Sequence, residues 1–69
     1  RRIVMAIYLV HWEAVDFSEV IRRGSHVSEK VIDSVEDADS AGKSWIEIIT
    51  ANNPDIAGAE LFITGVSKL

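Results

Sequence analysis

The chain has 69 residues, of which 48% are hydrophobic and 26% charged, with a formal net charge of -4 and no cysteine. This length supports a single hydrophobic core, so we expect one domain over residues 1–69, and the composition excludes a disordered or fibrous protein. The seven Lys and Arg residues are scattered, which excludes the basic stripe expected for a nucleic-acid partner. The longest apolar run, residues 3–10, is shorter than the roughly 20 residues of a membrane-spanning helix, and no signal-peptide pattern is present. We therefore expect no membrane partner and a location that is cytoplasmic or unassigned.

The same apolar run is the first predicted element. Residues 3–10 (IVMAIYLV) are continuously apolar, short and rich in β-branched side chains, which is typical of a strand that is covered on both faces. We expect a helix to cover one of these faces. On our interpretation it covers the side that carries Ile3, Met5, Ile7 and Leu9.

The second predicted element is an amphipathic helix over residues 17–35. Apolar residues in this segment recur every three or four positions, which is the period of a helix rather than of a strand. Asp16, followed three residues later by Glu19, matches a capping box at the helix start. Gly24 lies on the apolar stripe, where we expect it to let the helix approach the sheet closely.

Two further strands complete the prediction. Gly42 is interpreted as a helix C-cap, residues 45–50 (WIEIIT) have the composition of a strand, and residues 61–66 form the third strand after a turn at 52–55. The sequence thus predicts an α+β fold: a small two-layer βαββ domain, with one long amphipathic helix on a three-stranded, largely antiparallel sheet. The alternative is a ferredoxin-like βαββαβ order, in which residues 53–61 form a second helix and residues 31–38 a strand.

Two segments resemble ligand-binding motifs, but residues at required positions of each motif do not match. Gly42-Lys43-Ser44 ends like a phosphate-binding loop, but the first glycine of that motif falls on Asp37. Asp37, Asp39 and Gly42 match three positions of a calcium loop, whereas Ala41 and Ile48 occupy two positions that need oxygen ligands. The sequence therefore predicts neither a nucleotide site nor a calcium site.

A metal or catalytic centre is also not predicted. His26 and Glu29 are spaced for one helix face, but two ligands do not hold an ion, and nothing ties His11, the other imidazole, to that face. Serine residues are frequent, yet none lies in a nucleophile signature. We expect a protein without cofactor or metal that is not an enzyme.

The predicted topology leaves one apolar sheet face without a cover, and such patches mark interfaces. We therefore expect a non-catalytic self-associating or protein-binding domain, forming a dimer by packing sheet on sheet or edge to edge. The alternatives are a designed or excised domain with no activity of its own and a small-ligand-binding protein. The predicted interface residues are the apolar side chains assigned to the uncovered face: Val4, Tyr8, Val10, Trp45, Phe62 and Val66.

Overall fold

The computed structural model of the protein describes residues 5–69, which form one helix packed on a three-stranded antiparallel sheet. The predicted class, a small α+β domain with one helix on such a sheet, is confirmed. Along the chain the second strand precedes the helix, so the order is ββαβ, and the strands lie side by side in the order β2-β1-β3. The elements are β1 (Ala6–Asp16), β2 (Glu19–Lys30), α1 (Val35–Asn52), a short 3-10 turn (Pro54–Ile56) and β3 (Glu60–Lys68).

The helix predicted over residues 17–35 is wrong, because most of this segment forms the edge strand β2. Asp16 and Glu19, interpreted above as a capping box, are instead the last paired residues of the β1–β2 hairpin. The ferredoxin-like alternative is also wrong in the described part of the chain. Residues 31–38 lead into α1 instead of forming a strand, and residues 53–61 contain only the 3-10 turn before β3 begins.

The observed helix α1 begins at a well-formed cap. Ser34 Oγ accepts a hydrogen bond from the Asp37 backbone N–H at 3.1 Å, and the Asp37 carboxylate accepts one from the Asp33 backbone N–H at 3.0 Å. These bonds satisfy amide groups that lack partners inside the helix. Within the described residues, no helix is both long and apolar enough to cross a membrane.

The strand predicted over residues 45–50 is wrong as well, because these residues lie inside α1. Trp45 is buried together with Ala41 and Ile49, which lie four positions before and after it on the same side of the helix. Gly42 is therefore an interior helix residue and not a C-cap. The β-branched composition of the segment is overridden by the burial of this one stripe.

The core lies between α1 and alternate residues of β1. Val10 and Ala14 are fully buried and Trp12 is 5% exposed, so the helix covers the even-numbered face of β1. The expectation that it covers Met5, Ile7 and Leu9 is wrong, and Ile3 lies outside the described residues. Seven residues of the described part of the chain are buried in all: Val10, Trp12, Ala14, Ala41, Trp45, Ile49 and Ile56.

Gly24 has a different role from the predicted one. It lies in β2 directly opposite Trp12, and a Cβ atom built on it would come within 2.4 Å of Trp12 Cζ2. The absence of a side chain at this position makes room for the indole ring. Gly24 therefore permits close packing of a tryptophan on the sheet and not of a helix.

Candidate interaction surfaces

The side of the sheet that faces away from α1 is uncovered, and we call it the open face. It carries the odd-numbered side chains of β1 and the residues paired with them on both neighbouring strands. Three of its apolar side chains are substantially exposed: Ile7 at 44%, Phe62 at 48% and Val27 at 60%. Leu9 and Val15 on β1 are partly buried. The open face is thus the sheet surface that the topology leaves without a cover, and it carries these apolar side chains among polar ones.

Polar pairs occupy the middle of the open face. His11 Nδ1 and Ser25 Oγ are 3.0 Å apart, and Arg23 Nε donates to Glu13 Oε1 at 3.2 Å. Both are cross-strand pairs of β1 and β2, and they border a shallow depression of about 280 Å3. Because the Glu13 carboxylate pairs with Arg23, it does not orient the His11 imidazole as the acid of a catalytic triad would. These contacts tie two strands together and form no nucleophilic centre.

The β1–β2 hairpin ends in a two-residue loop, Phe17-Ser18, and we call residues 16–19 the hairpin tip. Both loop residues have positive φ, 50° for Phe17 and 65° for Ser18. Asn-Gly is the preferred pair in loops of this kind, because positive φ is costly for residues with a bulky side chain. Phe17 is nevertheless 94% exposed, so it projects into solvent from the tip.

Close to the tip, β2 contains a bulge. Ala14 pairs with Arg22 whereas Val15 pairs with Val20, so Ile21 is left without a partner on β1. A depression of about 230 Å3 lies at this irregularity, and we call it the bulge depression. Its lining consists of Val20, Ile21, Arg22 and Arg23. Two apolar and two basic residues therefore line the bulge depression.

A third depression lies between the end of β2 and α1 and has a volume of about 330 Å3. Lys30 reaches across it and donates to Ser44 Oγ at 3.4 Å, and Asp37, which takes part in the helix cap, lies on its border. Lys30 and Ser44 are thus bonded to each other, and Asp37 is bonded to Asp33 and Ser34 of the helix cap. In residues 5–69 there is no group of three or more His, Asp or Glu side chains that could hold a metal ion.

The predicted interface residues do not form one surface. Val10 and Trp45 belong to the core, and the Tyr8 ring packs against Trp45 with a centroid distance of 6.0 Å. Val66, paired with Val10, lies on the helix side, whereas Phe62, paired with Glu13, lies on the open face. Val4 lies outside the described residues. The physical reason for this correction is the parity of β1, since a strand that turns its even residues toward the helix exposes its odd ones.

Three exposed apolar side chains were not predicted to be exposed from the sequence. Ile7 was assigned to the covered face, Val27 to the helix stripe, and Phe17 to the first turn of that helix. The alternation of His11-Trp12-Glu13-Ala14 was a usable signal for the parity of β1, because only its even members are apolar. No sequence signal marks Phe17-Ser18 as a tight hairpin loop.

A comparison of the chain with protein-family models finds no match, and neither curated proteins nor solved structures give one. The geometry of the open face and of the hairpin therefore carries the functional argument.

Proposed function

We propose that the protein is a non-catalytic self-associating domain that dimerises by packing its open face on the open face of a second copy. The observation that carries the proposal is the apolar sheet surface that α1 does not cover. Ile7, Val27 and Phe62 are 44–60% exposed on it, and removing apolar surface of this kind from water favours association.

The size of the open face suits a second copy. Strands about 4.8 Å apart with a rise of about 3.3 Å per residue give a face of roughly 14 by 33 Å for three strands of about ten residues. Two such faces, corrugated by their side chains, bury on the order of 1,000 Å2 in total. This value reaches the lower bound for a specific interface.

The charges on the face also permit a two-fold arrangement. Glu13 and Arg23 are already paired within the chain, and Glu29 lies farther along the same face of β2, opposite Ile7. A second copy placed by a two-fold axis therefore meets acidic and basic groups rather than a field of one sign. Packing of this type is isologous, so the same residues are buried on both copies.

Edge-to-edge pairing is less favourable than face packing, because both edge strands are interrupted. Ile21 forms the bulge on β2, and Thr64 is left without a partner where the register of β3 against β1 shifts. Bulges and charged side chains on edge strands block the addition of a further strand. The open face has no comparable device.

The experiment that tests the proposal replaces two exposed apolar residues of the open face, in the double variant Val27→Lys/Phe62→Lys. The matched control is Ile46→Lys/Ile48→Lys, which places two lysines at exposed positions of α1. Sedimentation equilibrium from low to high micromolar concentration should show self-association of the wild type and the control, with association at least about tenfold weaker in the open-face variant.

Circular dichroism of all three proteins verifies the fold, because a lysine that unfolds the chain would abolish the dimer trivially. A wild type that stays monomeric at high micromolar concentration overturns the proposal and leaves the alternative of a designed or excised domain with no activity of its own. Equal weakening of association by the α1 control would also contradict the proposal, because the effect would then follow from the added positive charge and not from the loss of apolar contacts on the open face.

A further inference from the structure

The hairpin tip carries an aromatic side chain, Phe17, which the loop conformation does not favour and which does not pack in the core. Phe17 has a φ of 50° in a loop that favours Asn or Gly, and backbone strain of this type persists where it serves a function. Its side chain is 94% exposed, so it gains nothing from packing within the chain. A large, exposed aromatic at the end of a hairpin is suited to anchor a contact with another molecule.

We propose that the hairpin tip is a second contact between copies of this chain, in which Phe17 of one copy enters the bulge depression of another. The depression is lined in part by two apolar residues, Val20 and Ile21, which are 43% and 49% exposed. Burial of the Phe17 ring against Val20 and Ile21 removes apolar surface of both copies from water. No other ligand is needed to explain either feature.

Charge complementarity points to a second copy as the occupant. The acidic residues Asp16 and Glu19 flank the loop, whereas Arg22 and Arg23 border the depression. The two arginine side chains are 48% and 72% exposed, although each also pairs within its own chain. A tip that enters the depression therefore brings its carboxylates toward two accessible guanidinium groups.

The geometry of the contact is self-complementary. The tip and the depression lie three to six residues apart on one hairpin, which is about 10–20 Å of strand. Two hairpins that overlap by this length, related by a two-fold axis, each insert Phe17 into the other. The contact is isologous, and it uses neither Val27 nor Phe62, the residues whose replacement weakens the open-face dimer, so the two contacts are tested separately.

A lipid surface is the competing occupant for an exposed aromatic tip. The carboxylates of Asp16 and Glu19 next to Phe17 oppose approach to anionic lipids, which attract basic segments instead. Sedimentation with vesicles of phosphatidylcholine and phosphatidylserine is therefore expected to leave the protein in solution. Binding that depends on Phe17 would overturn the proposal in favour of a membrane contact.

The test uses the double variant Val27→Lys/Phe62→Lys as its background, so that open-face packing is weakened throughout. In this background we expect residual association at high micromolar concentration, and Phe17→Asn/Ser18→Gly should weaken it about tenfold or more. The same pair of substitutions supplies the loop sequence that positive φ favours, so it should raise the melting temperature at a concentration where the background variant is monomeric. Lower association together with higher thermal stability excludes misfolding as the cause.

The matched control is Val35→Asn, which removes an 82% exposed apolar side chain from the start of α1 and should leave the association unchanged. If the background variant is strictly monomeric, or if the hairpin substitution has no more effect than this control, the tip contact is refuted. A background that associates as strongly as the wild type instead refutes the open-face dimer, so the two proposals fail separately.

Charge reversal provides a second, independent readout. In the same background, Asp16→Lys/Glu19→Lys and Arg22→Glu/Arg23→Glu should each abolish the association, because every tip then meets a depression of like charge. An equimolar mixture of the two variants should restore it, since tip and depression are again opposite in sign in both contacts. Failure of the mixture to associate, when both variants are folded, would contradict the proposed arrangement.

Discussion

Replacing Gly24 by alanine tests the packing of the sheet most directly. A Cβ atom at this position would lie 2.4 Å from Trp12 Cζ2, 2.6 Å from Cε2 and 3.0 Å from Nε1. Carbon atoms in contact need about 3.5 Å, so the indole ring must move by about 1 Å. Trp12 is only 5% exposed and lies within the core, which leaves little space for that movement.

The expected magnitude follows from two opposing effects. Overpacking of a filled core costs about 1–3 kcal/mol, whereas replacing glycine by alanine in a strand returns about 0.5–1 kcal/mol of backbone entropy. We therefore expect Gly24→Ala to lower the free energy of unfolding by about 1–2 kcal/mol. In a domain of this size each kcal/mol corresponds to a fall of about 4–8 °C in Tm.

Gly42→Ala is the matched control. Gly42 lies inside α1, and a Cβ atom built on it meets no other atom within 4 Å. The same chemical change should therefore stabilise the protein by about 1 kcal/mol through helix propensity. Urea and thermal unfolding at one fixed protein concentration measure both variants, because association shifts the apparent stability. A Gly24→Ala protein as stable as the wild type would refute the placement of the indole over Gly24.

Three further outcomes are expected. Ser34→Ala should cost about 1 kcal/mol in urea unfolding, because it removes the side-chain acceptor of the α1 cap, and an equally large loss in Ser34→Asp would contradict a capping role. Ile49→Ala should lower the free energy of unfolding by about 2–5 kcal/mol, because Ile49 is 1% exposed. The same substitution at the half-exposed Ile48 should cost clearly less, and similar losses at the two positions would disprove the assigned buried face of α1. In a Trp12→Phe background, the Trp45 emission maximum should be blue-shifted and unchanged on dilution, since Trp45 is 3% exposed within one chain. A red shift on dilution would instead place it at an interface.

The sequence predicted secondary structure correctly where the apolar pattern of a segment reflects its burial in the fold. The strand prediction is confirmed over residues 6–10, because β1 is the central strand and these residues are continuously apolar. β2 was mistaken for a helix because it is an edge strand whose two faces are both largely exposed. Its helix-facing positions are polar or lack a side chain, as in Arg22 and Gly24, so strand alternation is absent from the sequence. The three- and four-residue spacing of its few apolar residues then imitates a helix.

The opposite error affects α1. The segment around Trp45 is rich in β-branched residues, and composition alone favours a strand. The pattern that indicates a helix is weaker than this composition signal. It consists of apolar residues at every fourth position, Ala41, Trp45 and Ile49, and of the cap residues Ser34 and Asp37 that precede them. A buried stripe only one residue wide carries little periodic signal, although in the fold it supplies three of the seven buried residues of the described chain.

The apolar face without a cover was nevertheless inferred from the sequence, and the reason is geometric. One helix covers one side of a three-stranded sheet whatever the order of the elements, so a central strand that is apolar on both sides must leave one of them exposed. The identity of the exposed residues depends instead on parity, and a change of one residue exchanges the two faces completely. In β1 the parity is set by Trp12 and Ala14, which continue the even-numbered apolar series, while His11 and Glu13 interrupt the odd-numbered one. The helix therefore packs on the even-numbered side, because that side offers the longer uninterrupted apolar series for burial.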